Sequence, residues 1–400
     1  MSIIADIQLA DEGHRRIEWA ERHMPVLNAI SRRFETEKPF SGLNMSLAIH
    51  LEAKTACLVR TFIRGGANIH VTGSNPHSTQ DSVCAALASD GCAVFAVHGA
   101  SPEAYRQYWE QTLSVRPHIV IDDGADLINL LLGDLSSYAE NTIGGCEETT
   151  SGVMRLREWQ ASGRLTFPAI TVNDAACKSW FDNYYGTGQS VWDALMRTTN
   201  LLVAGKQVVI AGYGWCGQGI AKYAAGLGAQ VIVCEIDPIK ALLAYMDGFT
   251  VMRMDEAAAR GDIFVTATSA SRILTARHFA VMKHDALISN AGHFNREIDI
   301  AALEALAVSK TELRNNIVAY RLTDGRELHV IASGALVNIA AADGHPIEIM
   351  DLSFALQALS AEYLVKHRDL PAKAMPVPAE IDRAVASLKL TSLGLTIDQS

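Results

Sequence analysis

Two α/β domains, each on a doubly wound, mostly parallel sheet, are the fold class this sequence predicts. Three observations carry the expectation. At 400 residues the chain is too long for one ordinary core. Helical stretches alternate with short apolar runs in two separate series. The second series opens with a strand, a glycine-rich turn and a helix in immediate succession.

Near the start, Ile17, Ala20, Met24, Leu27, Ile30 and Phe34 step by three and four, which predicts one amphipathic helix. Helical stretches near 52–65, 79–91 and 102–115 then alternate with apolar runs at Asn68–Thr72, Ala93–Val97 and Ile119–Ile121. Ligands of such sheets bind just past the carboxyl ends of strands, which puts Asn75, His98 and Asp123 forward. From 139 to 190 the chain is richer in Thr, Asn, Asp and Gly than in apolar periods and reads as a functional connection outside the core. The second series has strands expected at Gln207–Ala211, Gln230–Cys234, Ile263–Thr266 and Ala286–Ser289. After about His345 the pattern returns to helix, with Leu356, Leu359 and Tyr363 on one face.

Composition narrows the function. The net charge is −10 and no Lys/Arg-rich run appears, so a nucleic-acid partner is not expected. The amino terminus lacks a basic start followed by an apolar core, and no apolar run reaches the length of a membrane span. The seven cysteines are scattered with no C-x-x-C pair; they read as reduced thiols of a cytoplasmic protein, with neither a disulfide frame nor a metal site.

Val208 to Ala211 is a buried-strand run, Gly212-Tyr213-Gly214-Trp215-Cys216-Gly217 follows at once, and Ile220 to Gly226 reads as helix. This is the setting that gives a G-x-G-x-x-G turn meaning. Gly212 permits the tight turn, Gly214 lets the backbone approach a pyrophosphate, and Gly217 lets the helix pack close with its N-terminus toward the phosphates. The next strand ends in Glu235, eighteen residues past Gly217. A carboxylate there accepts from ribose hydroxyls and repels a 2′-phosphate, favouring NAD over NADP. Lys240 is close enough in sequence to pair with Glu235 and soften that preference. A Rossmann domain that binds NAD is therefore expected from about Gly205.

Around this motif stand further runs: Asn75 with Ser78-Thr79-Gln80-Asp81, Asp122-Asp123-Gly124, Glu147-Glu148-Thr149-Thr150, Lys178-Ser179 with Phe181-Asp182-Asn183, Asn290 with Gly292-His293-Phe294, Leu336-Val337-Asn338, and Gly344-His345-Pro346. In this order and spacing, from about Gly42 to the C-terminus, the chain resembles the S-adenosylhomocysteine hydrolase (adenosylhomocysteinase) family. The resemblance implies NAD used and restored within each turnover. The ribose 3′-hydroxyl is oxidised, the ketone acidifies the 4′ C–H, loss of that proton expels the 5′ substituent, water adds, and the ketone is reduced again. It also implies a discontinuous substrate domain, roughly 1–187 plus 346–400, with the NAD domain at roughly 188–345 inserted in it, hinges near Thr187 and His345, and a homo-oligomer.

Carried over residue by residue, the resemblance assigns His50, Asp123 and His293 to acid–base work at C4′ and C5′. It gives Glu148, Lys178 and Asp182 to the ribose 2′ and 3′ hydroxyls and to moving the 3′-hydroxyl proton. Thr149, Thr150, Ser151 and Asn183 would face the nicotinamide end of NAD, with Thr268 and Asn338 completing that pocket. Cys216 belongs to the dinucleotide turn, and Asn75 and His345 to the substrate side. From spacing alone, Lys178 and Asp182 are equally an i,i+4 surface ion pair.

The sequence departs from the family at substrate-reading positions. After His50 the family carries Thr and then Gln or Glu, which read the adenine edge; here Glu52-Ala53-Lys54 follows Leu51. An ammonium donates only and does not accept from an adenine amino group. A different base, a different base pose or an internal Glu52–Lys54 pair follows from this. A family Cys near C3′ is Thr187, an Arg before the Leu-Val-Asn run is Ala335, the Asp of the glycine loop is Trp215, and the sequence stops at Ser400 without the family's basic tail. These departures point to a nucleoside other than S-adenosylhomocysteine, dehydrated at C5′ to a 4′,5′-ene. The alternative is an ordinary S-adenosylhomocysteine hydrolase; a non-catalytic NAD-binding regulator and a net dehydrogenase are the remaining readings.

Overall fold

The computed structural model describes residues 2–292 and 295–398. It divides into two compact units, Met1–Ser179 with Ile347–Ser400, and Trp180–Pro346. The first crossing thus falls between Ser179 and Trp180, earlier in the chain than the expected 187/188.

Among the described residues, the first unit holds β1 (Asn44–Ala48), β2 (Asn68–Thr72), β3 (Ala93–Val94), β4 (Ile119–Asp122), β5 (Gly144–Glu147) and β6 (Ala169–Thr171). A closing strand, Ala374–Pro376, follows the strands of the second unit in the chain. They form one parallel seven-stranded sheet in which the closing strand is followed by β6-β5-β4-β1-β2-β3. Strand order reverses between β1 and β4, because the chain runs outward from β1 to β3 and then from β4 to β6 on the other side. The inner strands are buried on both faces, as in parallel sheets covered by helices.

Several expectations change here. The single amphipathic helix is two, Ala10–Arg22 and Pro25–Glu37. Pro25 has no N–H to donate and starts the second helix, so the break falls just before it, although all six stepping residues are buried. The stretch 139–190 is not a connection outside the core. It contains β5, the helix Thr150–Ala161 and β6. Its strand escapes an apolar reading because Gly144-Gly145-Cys146-Glu147 is a buried strand made largely of glycine and a carboxylate. The strand at Ala93 stops at Val94, short of Val97, and β1 has no counterpart among the expected strands.

In the second unit, β7 (Gln207–Ala211), β8 (Gln230–Cys234), β10 (Ile263–Thr266) and β11 (Ala286–Asn290) stand where expected, joined by β9 (Thr250–Val251), β12 (Ala307–Arg314), β13 (Ile317–Leu322) and β14 (Glu327–Ile331). The order is β12-β13-β14-β11-β10-β7-β8-β9, among the described residues. Only β12-β13 and β13-β14 pair antiparallel. Alternation along β7 builds two cores: Val208 and Ile210 join Val231, Val233 and Val265 on one face, while Val209 joins Ile232, Phe264 and Ile288 on the other. Of the antiparallel strands, β13 carries the apolar run Ile317–Tyr320, while β12 is exposed along most of its length.

The last long helix, Ile347–Lys366, is buried on nearly every side, so Leu356, Leu359 and Tyr363 do not define a single inward face; Leu359 and Tyr363 are only half-buried. Its Asp351 is fully buried and accepts from the N–H groups of Val26 (3.2 Å) and Leu27 (2.8 Å), capping the helix Pro25–Glu37, with Lys389 at 3.1 Å. Among the described residues no helix is long and apolar enough to cross a membrane. Removing one partner of a buried, hydrogen-bonded pair leaves the rest uncompensated. Asp351→Ala is therefore expected to cost the first unit about 3–5 kcal/mol in urea unfolding, and Lys389→Met clearly less.

Candidate active site

Parallel strands bring their carboxyl ends to one edge, and in the first unit β5, β4, β1 and β2 lie side by side. Glu148, Asp123 and His50 follow the ends of β5, β4 and β1, and Asn75 follows β2. His50 and Asp123 stand where strand order reverses, the place where such sheets bind ligands.

His50 Nε2 lies 3.5 Å from Asp123 Oδ2. On the other side of the ring, Nδ1 is 2.7 Å from Ser78 Oγ, and the Ser78 hydroxyl donates to the Asn75 carbonyl at 2.9 Å. With its own hydrogen committed to Asn75, Ser78 accepts from Nδ1–H, a tautomer inferred from the hydrogen-bond chain. Nε2 then faces the carboxylate at 3.5 Å, and the two form an ion pair when the ring is protonated. Asp123 Oδ2 also accepts from the Ser74 hydroxyl at 3.1 Å, while Oδ1 is buried without a partner among the described residues. A proton-carrying couple beside a spare acceptor suits acid–base chemistry. Asn75 itself shapes the turn, its Oδ1 accepting from His77 N–H at 2.9 Å.

The internal Glu52–Lys54 pair is present. Glu52 caps the helix Ala53–Arg64, accepting from Lys54 N–H at 3.0 Å, with Lys54 Nζ at 3.1 Å from the same carboxylate. Glu148 Oε2 accepts from Gln357 at 2.5 Å, and Lys178 Nζ donates to Asn173 at 3.4 Å. Asp382 accepts from the N–H groups of Ala176 (2.8 Å) and Cys177 (2.9 Å), fixing the turn that carries Lys178. Thr149 caps the helix Thr150–Ala161 and donates to Glu147, Ser151 lies against Thr149, and exposed Thr150 donates to Asn173. Ser74, Ser78, Asn173, Gln357 and Asp382 were not singled out from sequence as site residues; Ser78 lay within a quoted run and Asn173 within the stretch 139–190.

From Ser179 to Gly186 the chain is π-wound, so the i,i+4 face expected to join Lys178 and Asp182 is not that of an α-helix. Within the second unit, His345 Nδ1 lies 3.2 Å from Asp182 Oδ1 and His345 Nε2 lies 3.2 Å from Thr187 Oγ1. Cys216 Sγ accepts from Thr187 Oγ1 at 3.7 Å and from Asn183 at 3.4 Å.

The glycine turn has the form a dinucleotide needs. Gly212 is left-handed (φ +96), and a Cβ there would lie 2.6 Å from the Ala267 carbonyl. A Cβ at Gly214 would point into open space, the room a pyrophosphate takes, and one at Gly217 would meet the Gly212 carbonyl at 2.0 Å. Glu235 accepts from Tyr213 N–H at 2.7 Å and from the N–H groups of Ile236 and Asp237. Lys240 pairs with Asp237, at 3.9 Å, and not with Glu235, so nothing among these contacts offsets the acid that disfavours a 2′-phosphate. Thr268 is tied by both N–H and hydroxyl to buried Glu297, a carboxylate the sequence did not suggest. Asn338 donates to Ser190 at 3.0 Å, and its buried Oδ1 has no partner among the described residues, an acceptor available to an amide donor. These residues fit NAD. His293 lies outside the described residues. The turn before it is held by Asn290, whose Oδ1 accepts from Thr266 (3.0 Å) and from Gly292 N–H (2.8 Å).

Comparison with known proteins accords with this geometry. Residues 2–143 match the family model for S-adenosyl-L-homocysteine hydrolase, and residues 183–344 match that for the S-adenosyl-L-homocysteine hydrolase NAD binding domain. The adenosylhomocysteinase of Aquifex aeolicus is 53% identical over 99% of this chain and 95% of its own length. The chain belongs to the S-adenosyl-L-homocysteine hydrolase family. It is an enzyme, and its cofactor is NAD. The adenosylhomocysteinase of Pyrococcus abyssi is 52% identical over 99% of this chain and 94% of its own length. A relative named S-inosyl-L-homocysteine hydrolase, from Methanocaldococcus jannaschii, is 51% identical over 99% of this chain and 95% of its own. Charge-assisted hydrogen bonds are worth about 1.5–3 kcal/mol, so Glu235→Ala should weaken NAD binding by about ten- to a hundredfold while narrowing the gap to NADP, as read by calorimetric titration.

Proposed function

We propose that this enzyme hydrolyses S-adenosylhomocysteine to adenosine and homocysteine. The observation that carries the reading is His50 facing Asp123 at 3.5 Å at the switch point of a sheet whose next strand end bears Glu148. The dehydration suggested by the departures has no support among the relatives. Those named for the thioether substrates, adenosyl or inosyl, are about half identical over nearly their full length.

His50, held by Ser78, would hand a proton to the departing 5′ group and take one back from the incoming water, with Asp123 stabilising the charged ring. Glu148, steadied by Gln357, would accept from the ribose hydroxyls, and Lys178, steadied by Asn173, would donate beside them. Asp182, held by His345, whose other ring nitrogen meets Thr187, would with Lys178 help move the 3′-hydroxyl proton. His293 keeps its expected acid–base role. Glu235, the turn at Gly212, Gly214 and Gly217, Asn183, Thr268 and Asn338 would hold NAD, with Thr149, Thr150 and Ser151 expected toward its nicotinamide end. NAD, when bound, supplies the reversible oxidation of the ribose carbinol.

A second reading concerns the base. Lys54 is buried and donates only, which suits the carbonyl oxygen of hypoxanthine, whereas the acceptor facing an adenine amino group would be Glu52. The substrate test is to offer the NAD-loaded protein S-adenosylhomocysteine and S-inosylhomocysteine and measure homocysteine release. Faster turnover of the adenosyl thioether supports the main reading, and faster turnover of the inosyl thioether the second. Release of neither would sink both. Lys54→Gln should shift the ratio of kcat/KM toward the adenosyl substrate by about tenfold, the size of one hydrogen bond.

The family resemblance also implies assembly with copies of itself, and one surface suits this. Ile236 and the helix Pro238–Met246 expose six large apolar side chains by 42–99%, and only Ala244 of that helix is buried. The two charges of this segment, Asp237 and Lys240, pair with each other. Exposed apolar side chains grouped in this way mark an interaction surface. We infer that a second copy covers it. Sedimentation velocity should show Leu242→Asp shifting the protein to a smaller species; an unshifted assembly would rule this face out.

A further inference from the structure

Two fully buried carboxylates, Asp122 and Glu147, lie at the ends of β4 and β5 and take no part in the chemistry above. They are register neighbours on adjacent parallel strands, and each directly precedes a site acid, Asp123 or Glu148. Glu147 Oε1 accepts from three donors: Gly124 N–H at 2.9 Å, Thr149 N–H at 2.8 Å and the Thr149 hydroxyl at 2.7 Å. One oxygen thus joins the residue after Asp123 to the residue after Glu148. Asp122 works from below. Its carboxylate accepts from Asp123 N–H (3.1 Å) and Ile128 N–H (2.9 Å), and its carbonyl accepts from Glu148 N–H at 3.0 Å. Room for Glu147 is kept by Gly152, where a Cβ would lie 2.2 Å from Glu147 Cδ.

We propose that Glu147 and Asp122 are positioning residues that set the spacing of Asp123 and Glu148, Glu147 clamping the two turns together and Gly152 forming its seat. This rests on the reading of Asp123 and Glu148 as site acids. A misplacement of about 1 Å costs on the order of a hundredfold in rate, which is the scale on which such a clamp would act.

Burial, with Asp126 adding to it, pushes the Asp122 carboxyl up to about 7; burial, with Asp122 adding to it, raises Glu147 well above the carboxylate range. The charged groups facing the pair are Asp126 from the next helix, Arg155 from the helix after β5, and Asp123. Arg155 is tied to Asp126 at 2.7 Å and to the Gly124 carbonyl. The sign follows. The unfolded chain releases these protons near pH ~4, whereas the folded one holds that of Asp122 to about 7 and that of Glu147 well above the carboxylate range. The pair therefore costs nothing at acid pH and costs progressively more as pH rises from about 4 through about 7.

The experiment compares Glu147→Ala, Glu147→Gln and Gly152→Ala in the NAD-loaded full chain, measuring kcat and KM for the thioether, backbone amide exchange, and the unfolding midpoint against pH. Glu147→Ala and Gly152→Ala should each lower kcat by about a hundredfold with KM changed far less. In both, the Gly124 and Thr149 amides should lose protection together. Glu147→Gln keeps an acceptor oxygen in place, so it should recover turnover to within about tenfold of the parent while flattening the stability loss between pH 4 and 7. Full turnover in folded Glu147→Ala, or Glu147→Gln as impaired as Glu147→Ala, would overturn the clamp. If Glu147→Ala does not fold, Gly152→Ala and Glu147→Gln decide alone. Amide exchange needs no substrate, so a parent enzyme inert on both thioethers would sink the proposed function, while the protection of Gly124 and Thr149 would still decide the clamp.

Discussion

Buried and half-buried carboxylates accepting backbone N–H groups are the interaction on which this structure depends. At the carboxyl end of a parallel strand the chain leaves the ladder, and its next amides lose their partners. A loop that must present polar groups to a ligand cannot satisfy those amides with a well-packed apolar turn. Here acids do it. Glu147 takes Gly124 and Thr149, Asp122 takes Asp123 and Ile128, Glu297 takes Thr268 and Ser269, Glu235 takes Tyr213, Ile236 and Asp237, and Asp382 takes Ala176 and Cys177. Apart from Glu235, which would itself meet the ribose of NAD, each of these acids holds a turn near candidate site residues without entering the chemistry.

That arrangement explains what the sequence made legible. Strands that fill two-sided cores, such as Gln207–Ala211 and Gln230–Cys234, show continuous β-branched runs and stand where those runs are. The glycine turn is legible for the same local reason: a Cβ would meet a carbonyl at 2.6 Å at Gly212 and 2.0 Å at Gly217, while at Gly214 it would fill an open face. The strand Gly144–Glu147 was not legible, because its burial is set by the neighbours of Glu147 and by what lies against Gly144 and Gly145, none of it written in the four residues themselves. The same holds for the helix break at Met24-Pro25, where the apolar steps continue in register although the backbone does not.

Site residues divide along the same line. Asn75 and Asp123 could be placed at strand ends because the β/α rhythm locates those ends, whereas His50 and Glu148 came only from the family resemblance, since neither β1 nor β5 was expected. Their supports could not be placed. Ser78, Ser74, Gln357 and Asp382 come from other turns or from helices far along the chain, and no spacing rule links them to the residues they hold. Lys178 and Asp182 failed in the opposite sense, since i,i+4 logic assumes α winding and the segment is π-wound. A wider turn re-aims side chains without any insertion or glycine to announce it.

Thr187 shows how far a departure in sequence can mislead about chemistry in space. Read along the chain, a family thiol is missing there. In the folded second unit, the Thr187 hydroxyl sits between His345 Nε2 and Cys216 Sγ, and the same sulfur takes the Asn183 amide. A sulfur therefore remains beside this group of residues, carried on the dinucleotide turn instead of at the start of the helix Thr187–Thr199. A hydroxyl both donates and accepts, so it can join an imidazole to a thiol where a second thiol would do so only weakly. Asp182, His345, Thr187 and Cys216 form a connected chain from a carboxylate to the glycine turn, and the substitution that looked like a loss of the family's machinery is a link in it.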